Sequence, residues 1–251
     1  MSVSVSVSVF QFARRLDGVR IVYDFAQGER PILLVHGFAS TAAVTWAGPG
    51  WVRAITDAGR GVITPDLRGH GRSDGPHHAA DYLPRQLAAD LVAVLDVLEL
   101  DQVDVIAYSM GSRVAAALTQ LAPERVRRMV LGGAGPLELF ATWDMDAVRR
   151  FVMNGALPSD PTIAAVLGAA IGAGTDREAL MACVQGVAGA TLDVPPGIPV
   201  LYAAGGADSI PNGVAEVARS RGAEYLELPG CTHINALTSR EFKQAALAFL
   251  A

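Results

Sequence analysis

Lysine is almost missing from this chain: Lys243 is the only one among 20 basic residues, and the rest are arginine. Schiff-base chemistry on a carbonyl substrate therefore has little to work with. Cysteine is nearly as scarce. Cys183 and Cys231 are too few for a disulfide framework, and no CxxC or Cys/His ligand spacing accompanies them. They read as reduced thiols of a cytoplasmic protein. A basic excess is lacking too, because 25 acidic residues outweigh the basic ones and leave a formal charge of −5, which argues against a nucleic-acid partner. Charged residues reach only 18% while apolar types reach 51%, so disorder is excluded as the dominant state. No apolar run approaches the ~20 residues of a membrane span. The alternating Ser-Val stretch at 2–9 has neither the basic flank nor the continuous apolar run of a signal peptide. It reads equally as an edge strand or as a frayed tail.

What is present is a chain of 251 residues, long enough to bury roughly 70–75% of its unfolded surface. Strand-like runs at 10–13 and 19–23 flank Asp17-Gly18, a strong hairpin signal. Short, continuous apolar runs follow at 32–35, 61–64, 103–108, 129–131, 199–203 and 225–228, each ending in turn residues. Continuous rather than alternating apolarity predicts strands buried on both faces of a parallel sheet. Between them Leu87, Leu91, Leu95 and Leu98 form one helical stripe, and Val114, Ala117, Leu118 and Leu121 another. The alternation predicts an α/β fold, a mostly parallel sheet with helices on both faces. The rhythm breaks over 136–196, where Ala- and Gly-rich helical pieces are punctuated by Pro161, Gly174 and Pro195-Pro196. The expected organisation is a core of 1–135 and 197–251 carrying a helical cap at 136–196.

The chemistry concentrates at D-V-I-A-Y-S-M-G-S-R-V-A, residues 104–115. A buried strand runs into Ser109 and a helix starts directly after it. So sharp a turn forces an unfavourable backbone at the serine and demands small residues two before and two after it. Those are Ala107 and Gly111, the former a departure from the usual glycine. Taken alone, the segment also fits a serine that merely caps a helix. A serine hydroxyl becomes a nucleophile only when a histidine takes its proton and a carboxylate orients the histidine. Asp208 follows the run 199–203 and His233 follows 225–228, both at the carboxyl ends of expected strands, where such a sheet gathers its active site. Ser, then Asp, then His is the chain order of the α/β-hydrolase triad.

On these motifs, with L-L-V-H-G-F at 33–38, P-D-L-R-G-H-G-R-S-D at 65–74 and P-G-C-T-H at 229–233, the chain resembles the α/β-hydrolase fold family, in particular its serine esterases, lactonases and cofactor-free haloperoxidases. The resemblance implies an oxyanion hole built from the backbone N–H groups of Phe38 and Met110, a lid formed by 136–196, and no metal or organic cofactor. The implied partner is a small-molecule ester or lactone; oligomeric state is left open.

Other polar residues read more plainly. His36 is expected to make a structural hydrogen bond, and Arg68, His70, Ser73 and Asp74 to brace their Gly-rich loop. His77-His78 lacks a third metal ligand at suitable spacing. Cys231 reads as packing. Arg113 is expected on the surface, the alternative being an inward reach to an anionic substrate, and Arg149 and Arg150 keep that alternative open. Phe140, Trp143, Phe151, Met153 and Met181 are candidate lining for an apolar substrate pocket, with Leu137 and Met145 beside them. Two rivals to a serine hydrolase are a lyase on the same triad, which would need an arginine cluster for carboxylates, and a ligand-sensing protein with a vestigial triad. Haloalkane dehalogenases and epoxide hydrolases of this fold are disfavoured, since they carry aspartate where Ser109 stands.

Overall fold

The continuous apolar runs become strands because each alternate side chain finds its own buried layer. The computed structural model describes residues 11–172 and 175–251. The strands are β1 (Gln11–Arg14), β2 (Arg20–Ala26), β3 (Glu29–Val35), β4 (Arg60–Pro65), β5 (Val103–Tyr108), β6 (Val126–Gly132), β7 (Val200–Gly205) and β8 (Glu224–Leu228). The helices are α1 (Trp51–Asp57), α2 (Pro84–Val97), α3 (Met110–Leu121), α4 (Met145–Asn154), α5 (Pro161–Ala170), α6 (Arg177–Val187), α7 (Val214–Arg221) and α8 (Arg240–Phe249). Every expected run overlaps a strand, with Val19 and Pro199 falling just before β2 and β7. The Ser-Val stretch, Phe10 and Gly174 lie outside the described residues.

On β3, Leu33 and Val35 join one core layer with the α2 stripe (Leu87, Leu91, Leu95) and with Val114 and Leu118 of α3. Ile32 and Leu34 point the other way, onto Trp46, Trp51, Ile55 of α1 and Phe242 of α8. Each such side chain, fully buried, contributes roughly 1.5–3 kcal/mol. Two-sided burial holds along all of β4, β5 and β7. It fails at the two ends of the sheet: β1 and β8 are edge strands, exposed at most positions. The continuous run at 225–228 therefore misled as to burial, though not as to type.

The sheet order is β1-β2-β4-β3-β5-β6-β7-β8. The pair β1–β2, joined at Asp17-Gly18, is antiparallel, as is β2–β4; every later neighbour pair is parallel. The chain adds β4 to one side of β3 and β5 to the other, so its winding direction reverses between β3 and β5. Loops leaving the carboxyl ends of those two strands diverge to opposite faces and leave a crevice, the usual ligand position in such sheets.

Between β6 and β7 the described residues hold no strand, only a short 3₁₀ turn at Phe140–Thr142 and helices α4 to α6. Each of the three helices starts at an aspartate whose side chain accepts from the first turn: Asp144 from Asp146 N and Ala147 N, Asp160 from Thr162 N, and Asp176 from Ala179 N.

Candidate active site

Ser109 joins β5 to α3 with φ at +56°, in the left-handed region that a β-carbon disfavours, a strain of about 1–3 kcal/mol that only a well-determined surrounding sustains. The surround is dense. Ser109 N donates to Gly132 O (2.8 Å), Ser112 N donates to Ser109 O (2.9 Å), and Ser112 Oγ donates to the same Gly132 O (2.9 Å). A β-carbon on Gly111 would lie 2.3 Å from Val35 O and 2.5 Å from His36 O, so only glycine lets α3 come this close to β3. Ala107 sits inside β5, fully buried, where its methyl is accommodated.

The three residues singled out by order and position lie together. His233 Nε2 is 3.0 Å from Ser109 Oγ, and His233 Nδ1 is 2.6 Å from Asp208 Oδ2. A carboxylate only accepts, so Nδ1 carries the proton and Nε2 is left as acceptor for the serine hydroxyl. Asp208 Oδ1 accepts from Ile210 N (3.0 Å), which fixes the carboxylate plane. Tyr108, the residue before the serine, donates its hydroxyl to His233 O (2.6 Å) while its ring lies against Gly132 and Gly133. This brace on the histidine loop is invisible in the triad motif; its only sequence signal is the Gly-Gly pair after the β6 run. Burial pushes the Tyr108 phenol above its usual range, so it stays a hydroxyl donor.

Phe38 and Met110 both face the cavity in front of Ser109. Met110 is the first residue of α3, whose leading N–H groups have no intrahelical partner and lie at the positive end of the helix dipole. The loop bearing Phe38 runs so close that a β-carbon on Gly37 would be 3.1 Å from Ser109 Cβ. Two buried histidines pin this loop. His36 Nε2 accepts from Leu67 N (2.9 Å) and its Nδ1–H donates to Gly37 O (2.8 Å). His70 Nε2 accepts from Ala39 N (3.1 Å) and its Nδ1–H donates to Arg68 O (3.0 Å). Burial, aided by the neighbouring His70, pushes the His36 imidazole down to about 3. Burial lowers His70 as well. Arg68 in turn is bidentate to buried Asp90, both contacts at 2.6 Å. Ser73 Oγ donates to Asp66 O, and Asp74 pairs with Arg20. All these groups act as the bracing the sequence implied. His77 lies on the surface between Asp176 and Glu178.

The cavity encloses about 480 Å³ and is mostly apolar. Phe140 lines it, together with Leu137, Leu139, Ala165 and Val166 from the segment after β6 and with Val44, Ile210 and Ile234 from core loops. The other aromatic and methionine candidates lie elsewhere. Trp143 packs behind Phe140 with ring centroids 4.8 Å apart, Met181 is buried in the core layer, Phe151 packs toward Gly168 of α5, and Met153 is exposed. Helical periodicity marks apolar faces without saying which neighbour they meet. Around the mouth Val44, Leu137 and Ile234 are 67%, 65% and 73% exposed.

Arg113 overturns its expected surface position. The first ten residues of α3, Met110 to Thr119, are all buried, and the guanidinium donates to three main-chain carbonyls: Ala190 O (2.7 Å), Gly135 O (2.7 Å) and Leu137 O (2.8 Å). Arg149 and Arg150 are exposed on α4 and do not line the cavity. The cavity's acid, Glu138, is equally committed, accepting from Phe140 N, Ala141 N and Gly189 N at 2.8–3.0 Å.

A family model described as alpha/beta hydrolase fold matches residues 30–160, just over half of the chain. The 2-hydroxy-6-oxo-2,4-heptadienoate hydrolase of Pseudomonas putida is 35% identical over 146 residues, 58% of this chain and 50% of that protein. The chain spans about half the length of the curated relatives it matches. A hydrolase from Pseudomonas aeruginosa superposes with a TM-score of 0.77 at 24% identity, covering 98% of this chain and 99% of that one. The enol-lactonase of Burkholderia xenovorans does so with 0.76 at 22%, covering 96% and 99%. No helix among the described residues is long and apolar enough to cross a membrane. A strained serine turn at the crevice of a reversing parallel sheet is thus met by sequence and shape comparison alike, and the chain belongs to the alpha/beta hydrolase fold family.

Proposed function

We propose that this chain is a serine hydrolase that cleaves a neutral, apolar carboxylic ester or lactone through an acyl-enzyme. His233 takes the proton of Ser109 as its Oγ attacks the carbonyl carbon, and Asp208 holds the imidazole in the required tautomer and stabilises the imidazolium. The N–H groups of Phe38 and Met110 receive the charge that develops on the carbonyl oxygen; one such donor is worth ~2.7–4 kcal/mol in the transition state. His233 then returns the proton to the leaving alkoxide. In the second half a water, deprotonated by the same imidazole, attacks the acyl carbon; the bond to Ser109 Oγ breaks, His233 returns the proton to that oxygen, and the acid is released. The segment 136–196 acts as a lid whose Leu137, Leu139 and Phe140 cover the acyl group. No metal or organic cofactor enters these steps.

The observation that carries the proposal is the unbroken relay from Ser109 Oγ to Asp208, 3.0 Å and 2.6 Å, opening into an apolar cavity. A fluorophosphonate should form an adduct on Ser109, and Ser109→Ala should lower ester turnover by about 10⁶. Retained hydrolysis by that variant would sink the assignment.

A second reading is carbon–carbon bond hydrolysis, favoured by the 35% identity to the P. putida enzyme. Its substrate, as named, is a carboxylate. The two charged groups lining the cavity, Arg113 and Glu138, are already bonded to main chain, which supports a neutral substrate instead. Assaying p-nitrophenyl esters and simple lactones beside a 2-hydroxy-6-oxo-dienoate separates the two.

A further inference from the structure

Arg113 projects from the first turn of the helix that follows Ser109, and its three acceptors are carbonyls toward both ends of the segment joining β6 to β7. Gly135 and Leu137 are where the chain leaves the core, and Ala190 is where it returns. Glu138 repeats the pattern with opposite polarity. It accepts from Phe140 N and Ala141 N on the outgoing strand of chain and from Gly189 N on the returning one. Both side chains are buried, at 6% and 8% exposure; burial lowers the Arg113 pKa, and the negative charge of Glu138 opposes that shift. The outgoing chain is also wedged against the Asp208 loop, since a β-carbon on Gly135 would lie 2.7 Å from Asn212 O.

The wall held this way is chemical as well as mechanical. Phe140, whose N–H is bound by Glu138, places its ring edge-on to Phe38 at 4.9 Å, and both line the cavity.

We propose that Arg113 and Glu138 are positioning residues: a buried buckle that fastens both ends of 136–196 to the nucleophile helix and so sets the apolar wall that selects the acyl chain. Arginine suits the task because its planar fork serves three carbonyls at once, whereas a lysine ammonium is a point charge. Substrate needs no contact with either side chain. The kinetic part of this proposal rests on the serine hydrolase reading; the structural part does not.

The test compares Arg113→Met, Arg113→Lys and Glu138→Gln with the unaltered chain by two readouts. The first is amide hydrogen exchange, which needs no substrate. In R113M protection should fall at Phe140, Ala141 and Gly189 together while β5 stays protected, and R113K should restore part of it. The second is the ratio of kcat/KM for p-nitrophenyl hexanoate over acetate. The two differ by four methylenes, each worth about fourfold when buried. A wall that has lost half of those contacts lowers the ratio about fifteenfold, with the change falling mainly in KM. Unaltered exchange at the three amides overturns the buckle. A lower melting temperature with an unaltered chain-length ratio overturns the positioning role and leaves a structural one. If R113M does not fold, R113K and E138Q carry both readouts. An unaltered chain that hydrolyses neither ester refutes the functional reading, while the exchange arm still decides the buckle.

Discussion

Replacing Gly111 with alanine places a methyl 2.3 Å from Val35 O and 2.5 Å from His36 O. Both atoms belong to main chain running out of β3 toward Gly37 and Phe38, so neither can swing aside as a side chain would. A carbon–oxygen contact relaxes at about 3.3–3.6 Å, so α3 and β3 must separate by roughly 1 Å. Overpacking of this kind costs about 1–3 kcal/mol or more, and at this chain length each kcal/mol lowers the melting temperature by about 2–4 °C. The same displacement acts on the relay. Ser109 rides on the start of α3, and its 3.0 Å contact to His233 has no slack, so a shift near 1 Å should cost about 10²-fold in kcat. The measurement is a thermal melt beside kcat on a short p-nitrophenyl ester, with Ala107→Gly as the control. Position 107 already accommodates a methyl, so that variant should lose about 1 kcal/mol from strand flexibility and keep its turnover. A G111A protein that melts at the original temperature with kcat within twofold refutes the packing argument.

Asp208→Asn should lower kcat by about 10⁴: with the amide oxygen kept on Ile210 N–H, the amide NH₂ faces His233 Nδ1 and forces the proton to Nε2, which then cannot accept from Ser109. Restored activity in that variant without a change in pH profile would refute the tautomer assignment. Stability should also fall in mild acid through His36 and His70. Both are held neutral in the fold, below their ordinary 6.5, so the unfolded chain binds more protons as pH drops. Their contribution is complete above pH ~6.5 and is lost as pH falls through the lowered folded values, down to about 3 for His36, by up to ~1.4 kcal/mol per pH unit for a group that the unfolded chain protonates and the fold does not. Urea titrations between pH 7 and 4 read this directly, and His70→Gln should make the slope shallower; a slope unchanged by that substitution counts against the neutral pair.

The strands were legible because Ile32 to Val35 is apolar at every position and Val103 to Tyr108 at every one but Asp104, which Arg60 and Arg127 neutralise, and a sheet covered on both sides consumes such runs. Ser109, Asp208 and His233 were legible for a related reason: each sits just beyond a run, at the sheet end where chain ends of parallel strands converge. The starts of α4, α5 and α6 are also written in the sequence, as Asp144, Asp160 and Asp176, sixteen residues apart. What could not be read was contact across separate segments. Arg113 looks like a surface arginine because its bonding partners are carbonyls, which carry no sequence signature. Phe140 and Met181 are equally apolar, yet one lines the cavity and the other the core; pattern gives hydrophobicity, not neighbour. Tyr225 shows the opposite failure, an apolar run left half-exposed because it fell on the last strand of the sheet.

Val44, Leu137 and Ile234 stand on three separate connections, outside the sheet and with most of each side chain in solvent. Exchanging any one of them changes folding free energy by only about ±0.5 kcal/mol, yet each exchange alters the apolar surface at the mouth of the cavity. The threshold of the chamber can therefore be rewritten residue by residue during divergence, while the scaffold that holds the serine turn stays untouched.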